Sequence, residues 1–279
     1  MIRDRIKEKF AAIKREERGG LIVFLTAGFP DLAATRELVP ALIAAGADAV
    51  ELGVPFSDPL AEGPTIQDST FRALEQGVTL QNCIDLVGEL RDQVPDAPLI
   101  LMGYYNPIHS YGLAKFAEES QKAGVDGVIV VDLPHEEGAP LSVALAPLGI
   151  YIIPLLAPTS TDASIKASVS QAGGFVYCIG VTGVTGARDQ VSQRSFDLLN
   201  RVRPHTQLPL AVGFGISRRE HVEEVCRQAE AAVVGSALVT VMLESPRDQL
   251  VANACALVAE LAGKPFPNWG GTVFKGGTE

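Results

Sequence analysis

The chain has 279 residues, 47% of them hydrophobic and 20% charged, and a formal net charge of −10. That composition argues against disorder, and an acidic chain without a basic stripe argues against a binder of nucleic-acid backbones. The length suits one large domain or two small ones, and α/β barrels commonly reach it as one unit.

The first segment, MIRDRIKEKFAAIKREER, is charged throughout and has no apolar core, so it does not read as a signal peptide. Ile2, Ile6, Phe10 and Ile13 recur along it at helical spacing. Short β-rich runs then alternate with longer helical patterns. The runs are 21–27, 48–52, 99–104, 127–132, 149–156, 175–180, 209–215 and 231–237. They are nearly continuous in Val, Ile and Leu, as parallel strands covered on both faces are.

In AAGADAV and KAGVDGV a glycine closes a helix just before the next strand. Ser160, Thr161 and Asp162 precede one helix as caps and Ser217 precedes another; Leu250, Ala254, Leu257 and Leu261 stripe the helical pattern near the C-terminus. Pro40 sits inside ATRELVPALIAAG, where an interior proline costs about 3 kcal/mol. That helix is expected to start late or to kink.

Eight β runs, each followed by a helical stretch, predict a (β/α)8 TIM barrel with an extra N-terminal helix plugging its bottom. The alternative is an open doubly wound sheet, but GFPD after the first run has the wrong glycine pattern for a dinucleotide turn. No Pro/Gly/Ser-rich linker interrupts the chain, so residues 1–279 read as one domain. No apolar run approaches the roughly 18 residues of a membrane span, and a soluble cytoplasmic protein is expected. Cys83, Cys178, Cys226 and Cys255 lack zinc spacing, and His109, His135, His205 and His221 form no HExxH pair. The cysteines read as reduced, packed thiols, and no protein-bound metal is expected.

Barrel enzymes build their sites at the C-terminal ends of strands and in the loops that follow. Glu51 closes the second run, and Tyr177 lies near the end of the sixth. Gly213 and Gly215 end the seventh, and Gly235 and Ser236 end the eighth. Glycines let a phosphate approach backbone N–H groups, and helix N-termini add positive potential. Two such turns in succession, at the usual phosphate position of this fold, suggest a small phosphorylated metabolite.

Glu51 has no base in AVELGVPF to pair with, and partial desolvation would raise its pKa into a range useful for proton transfer. Asp58 and Glu62 read either as solvated loop acids or as site residues held in place by Pro55, Pro59 and Pro64. The stretch after Tyr177, with Gly180, Gly183 and Gly186, reads as a closing lid or an ordinary surface loop. Tyr177 is equally readable as a core aromatic.

TAGFPD, ELGVPFSDPLAEGPTIQ, GVTGAR, GFGIS and VGSA occur here in an order that resembles the α subunits of tryptophan synthase, over nearly the whole chain. The resemblance implies a (β/α)8 barrel that cleaves indole-3-glycerol phosphate into indole and glyceraldehyde 3-phosphate by a retro-aldol reaction. By motif, Glu51 matches the catalytic glutamate and Tyr177 the tyrosine beside it. The family's second acid is usually aspartate, and Glu62 stands there with one more methylene. Thr185 and Gly186 match the closing loop. The phosphate cradle is implied at Gly186, Gly213, Gly215, Gly235 and Ser236. Strand alignment implies an indole slot at Phe24, Tyr104, Ile129, Val131, Leu155 and Phe214.

The resemblance also implies an α2β2 complex in which pyridoxal phosphate belongs to the β subunit and the α chain holds no cofactor. Pro55, Asp58, Asn106 and Pro134 fall on loops that would face β. Two other readings stand beside this one. One is an enzyme of the same fold that releases free indole or acts on another phosphorylated sugar. The other is a non-catalytic subunit that only tunes β.

Overall fold

A computed structural model describes residues 3–180, 193–213 and 215–265. Its strand segments are β1 (Gly20–Thr26), β2 (Ala49–Gly53), β3 (Leu99–Gly103), β4 (Gly127–Val130), β5 (Tyr151–Ile152), β6 (Leu155–Leu156), β7 (Val176–Ile179), β8 (Leu210–Gly213) and β9 (Ala231–Val234). All neighbours are parallel, in the order β5-β4-β3-β2-β1-β9-β8-β7-β6.

The two ends of that order, β5 and β6, belong to one continuous run, 151–156. The sheet therefore closes on itself through the chain, as an eight-stave barrel whose fifth stave is broken. The break lies at Ile153–Pro154, and its cause was present in GIYIIPLL: proline has no N–H to donate to a ladder. Tyr151 N–H and Ile153 N–H still bond to the fourth stave, at Asp126 O and Val128 O. After Pro154 the pairing passes to β7.

The first five helices are α1 (Arg5–Arg15), α2 (Leu32–Ala45), α3 (Pro64–Glu75), α4 (Leu80–Arg91) and α5 (Tyr105–Tyr111). Next come α6 (Leu113–Ala123), α7 (Ala139–Leu145), α8 (Asp162–Ser170) and α9 (Gln193–Val202). The chain then forms α10 (Arg219–Cys226), α11 (Ser236–Glu244) and α12 (Leu250–Ala262).

Along the strands, alternate residues point in and out. Outward ones, such as Val23, Leu25, Val50 and Leu52, form the large core beneath the helices. Inward ones, Ile22, Ala49, Ile100, Ile129, Ala211 and Val233, fill the barrel. Helix α1 closes the bottom as expected, with Ile6 buried in that interior cluster and Phe10 packed against it. Ile2 lies outside the described residues.

Two local expectations need correction. Helix α2 does not start late; Asp31 caps it through Ala34 N–H, and it continues through Pro40 to Ala45. Complete burial of Leu38, Val39 and Leu42 under the barrel offsets the lost hydrogen bond. The cap of α10 is Arg218 rather than Ser217, with no side-chain cap bond. Thr161 caps α8 as expected, accepting from Ser164 N–H.

The repeated Ala-Gly-x-Asp segments have a structural meaning at the bottom of the barrel. Gly46 and Gly124 take positive φ, 132° and 83°, to end α2 and α6. Two residues on, Asp48 accepts from Arg18 at 2.6 and 2.7 Å and from Leu21 N–H at 3.0 Å. Asp126 accepts from Arg5, Arg91 and Leu99 N–H. Glu230 does the same for Arg203 and Leu210 N–H. Each acid closes the start of a preceding strand.

Candidate active site

The inward period brings the strand-end candidates together. Phe24 pairs in register with Glu51, and Glu51 with Ile100; Tyr177 pairs with Leu155 and with Ala211. Since Ile100 and Ala211 belong to the barrel interior, Phe24, Glu51 and Tyr177 face it too. Gly213 must be glycine here, because a Cβ would collide with the Tyr177 hydroxyl. Gly53, one pleat above Glu51, makes the same kind of room for the Phe24 ring.

Glu51 is fully buried, beyond the partial desolvation expected of it, and neither carboxylate oxygen has a hydrogen-bond partner among the described residues. Burial, reinforced by the negative charge of Glu62, pushes its pKa up to about 8. Burial alone lifts Glu62 to about 6. At neutral pH the first acid is protonated and the second largely ionised, so neighbouring carboxyls are split into a proton donor and an anion. The Tyr177 hydroxyl is held well above its ordinary range by burial and then by both carboxyls, so it stays protonated.

A small cavity of about 10 Å³ lies beside this pair, lined by Phe24, Gly53, Val54, Phe56, Pro59, Glu62, Ile66, Thr70, Met102, Gly103 and Tyr104. Phe24 and Tyr104 were expected there. Phe56, Ile66, Thr70 and Met102 were not. Met102 was findable, since it lies two residues beyond inward Ile100 on β3. The others depend on how 54–66 folds back over the barrel, which residue order does not reveal. The Phe56 and Tyr104 rings pack with centroids 5.1 Å apart. Ile129 is buried in the barrel interior, and half-buried Val131 and Leu155 pack against it.

A roomier cavity, about 390 Å³, opens in the wall beside Pro154 and is lined by Val131, Asp132, His135, Ser142, Leu155 and Ser164, among others. Neither Glu51 nor Glu62 lines it. Among the described residues no cluster of His, Cys, Asp or Glu is arranged to hold a metal. Nor is any helix among them long and apolar enough to cross a membrane.

At the turns where a phosphate was expected, Gly215 has φ 46° and open space where a side chain would stand. Gly235 is the N-cap of α11 and Ser236 its first residue; no side chain caps that helix. Its first N–H groups therefore remain available to an anion, with the helix dipole behind them. Thr185, Gly186 and Phe214 lie outside the described residues.

Of the residues expected on a partner face, Asp58, Asn106 and Pro134 are exposed. Pro55 is buried, so it shapes the loop and is not itself a surface contact. Leu60 between them is 89% exposed, unusual for a leucine beside a site and suited to burial under another protein.

Comparison with known proteins matches this geometry to a named family. The family model "Tryptophan synthase alpha chain" matches residues 10–263. The chain belongs to the tryptophan synthase alpha chain family. The alpha chain of Chloroflexus aggregans is 48% identical over 258 residues, covering 92% of this chain and 97% of that one. The Caulobacter vibrioides alpha chain is 49% identical over 239 residues, 86% of this chain and 87% of its own. Among solved structures, the alpha subunit from Legionella pneumophila superposes with a TM-score of 0.84 at 33% identity, covering 94% and 98% of the two chains. A tryptophan synthase structure from M. tuberculosis gives 0.85 at 32% identity, with the same coverage. Members of this alpha family are lyases of tryptophan biosynthesis that associate with a beta subunit, and pyridoxal phosphate belongs to beta.

Proposed function

We propose that this chain cleaves indole-3-glycerol phosphate into indole and glyceraldehyde 3-phosphate, using Glu51 as acid and base and Glu62 as the anion that steadies the indole nitrogen. The buried, unpartnered Glu51, protonated beside an ionised Glu62, carries the reading. Glu51 gives its proton to C3 of the indole ring, producing a cationic indolenine. The carboxylate of Glu62 balances the charge on the ring N–H. Glu51, now ionised, takes the proton of the side-chain hydroxyl next to the ring. The carbon–carbon bond breaks, its electrons return to the ring, and indole and the aldehyde leave with Glu51 protonated again.

The Tyr177 hydroxyl, its pKa raised by burial, borders this centre, and Phe24, Tyr104, Ile129, Val131 and Leu155 supply apolar walls for the ring. Gly213, Gly215, Gly235 and Ser236 offer backbone N–H groups to the phosphate, with Thr185, Gly186 and Phe214 assigned by motif. Asp58, Leu60, Asn106 and Pro134 would meet the beta subunit in an α2β2 assembly. A cytoplasmic location fits the retained fold and the pathway.

The decisive test is indole production by the purified chain, with and without a beta subunit, for wild type and for Glu62→Asp and Glu62→Ala. We expect beta to stimulate the wild type, Glu62→Asp to keep most of that activity, and Glu62→Ala to lose on the order of 100-fold. Full activity in Glu62→Ala would remove Glu62 from the chemistry. High turnover without beta would favour a stand-alone lyase.

A further inference from the structure

The loop from β2 to α3 carries Glu62, and two side chains from different elements grip its backbone on either side of that residue. Before it, Ala61 N–H donates to the Tyr104 hydroxyl at 3.0 Å, from the end of β3. After it, Gln67 Nε2 in α3 donates to Glu62 O at 2.9 Å and reaches Pro59 O at 3.5 Å. Both neighbours of that nitrogen are carbonyl oxygens, which fixes which end of the amide points there. Glu62 N–H returns to Pro59 O at 3.0 Å, closing 59–62 into a compact turn.

The grip is anchored in turn. Ser69 donates to Ile66 O at 2.8 Å, and the Thr26 hydroxyl at the end of β1 pairs with the Ser69 hydroxyl at 2.6 Å. Helix α3 is thereby tied to the barrel at the last residue of β1, which pairs with the last residue of β2.

We propose that Tyr104 and Gln67 are positioning residues that form a two-point latch, holding Glu62 at the distance from Glu51 that the longer side chain requires. This rests on the reading of Glu62 as the second acid. Pro55, Pro59 and Pro64 stiffen the loop, and Pro59 O accepts Glu62 N–H, but these contacts lie within the loop, whereas Tyr104 and Gln67 hold it from other elements. Tyr104 therefore has two separable functions: its ring walls the slot and its hydroxyl holds the loop. A misplacement of about 1 Å at such a group costs on the order of 100-fold in rate, so the latch is a lever on turnover rather than on substrate affinity.

The test uses Gln67→Met, which keeps the length and loses the bonds, and Tyr104→Phe, which keeps the ring and loses the acceptor. Each is assayed in complex with a beta subunit, in the wild type and in a Glu62→Gln background. In the wild type, kcat should fall on the order of 10-fold or more with KM little changed. In the Glu62→Gln background the same substitutions should change kcat by less than about twofold, because the residue they position no longer acts. Equal losses in both backgrounds, or wild-type turnover in both single variants, would overturn the latch.

A second readout does not depend on catalysis. The carboxyl carbon of Glu62, followed by NMR in glutamate-labelled protein, should titrate nearer the ordinary carboxylate range in Gln67→Met than in the wild type. The freed loop admits water to a group now raised by burial. An unchanged midpoint overturns the proposal. Normal turnover in Glu62→Gln alone would overturn the second-acid reading instead, and the titration would still decide whether the latch sets the surroundings of Glu62.

Discussion

Asp48 just precedes β2 and Glu51, three residues on, is the middle residue of that short strand, and their surroundings are opposite. Asp48, at the bottom, is buried with Arg18, Lys9 and a backbone N–H around it. Glu51, toward the mouth, is buried with no hydrogen-bond partner among the described residues. A buried carboxylate is tolerated when it is paired and hydrogen-bonded, and otherwise takes up a proton. The bottom of the barrel thus uses its acids to close strands. The top keeps its acid loaded with the proton that the proposed reaction needs.

The sharpest way to break the comparison is Glu51→Gln. It should cut cleavage by 10²–10⁴-fold, about the worth of a general acid–base, while the protein still folds. The pH dependence of stability should change with it. The folded pKa of Glu51, about 8, lies above the ordinary 4.5. Its contribution to stability is therefore complete below pH 4.5 and is lost as pH rises through 8. Urea midpoints for wild type should fall across that window, and Glu51→Gln should flatten the fall. An unchanged slope would mean that Glu51 is not the group held protonated.

Asp126→Ala tests the other end. It strands Arg91, a largely buried cation that Asp126 meets at 2.8 Å. Loss of one partner from a buried pair costs roughly 3–5 kcal/mol, read by chemical denaturation, with kcat/KM unchanged under folding conditions. Loss of activity at full stability would erase the distinction between the two ends. The smallest effect belongs to Arg36→Ala, which removes an exposed pair with Glu89. Its stability should stay within about 1 kcal/mol of wild type, showing that burial rather than pairing gives the bottom acids their weight.

Much of this was legible in residue order, for identifiable reasons. Continuous Val/Ile/Leu runs mark strands covered on both faces, and the inward period of β2 puts Glu51 in the barrel interior. Asp48 and Asp126, by contrast, sit in the repeat that marked only helix ends; nothing local says that a carboxylate there reaches back to the preceding strand. Gln67 escaped notice for a related reason. Its partners are backbone carbonyls five and eight residues away, and backbone atoms carry no sequence signal. Pro154 was legible in principle, since its missing donor is a property of the residue itself.

That proline gives the wall a grain. All eight seams carry register pairs, but the two beside the fifth stave are each half-paired: β4 pairs with its first half and β7 with its second. Above Val128 the fourth stave therefore meets the second half of the fifth with no paired residues. Opening free energy is lowest where backbone bonds are fewest. Amide exchange at Ile129, Val130, Leu155 and Leu156 is thus the natural place to watch the wall breathe. The barrel is a closed hoop fastened at one point by covalent chain, and its compliance is concentrated there, beside the mouth and away from the rigid, ion-paired base.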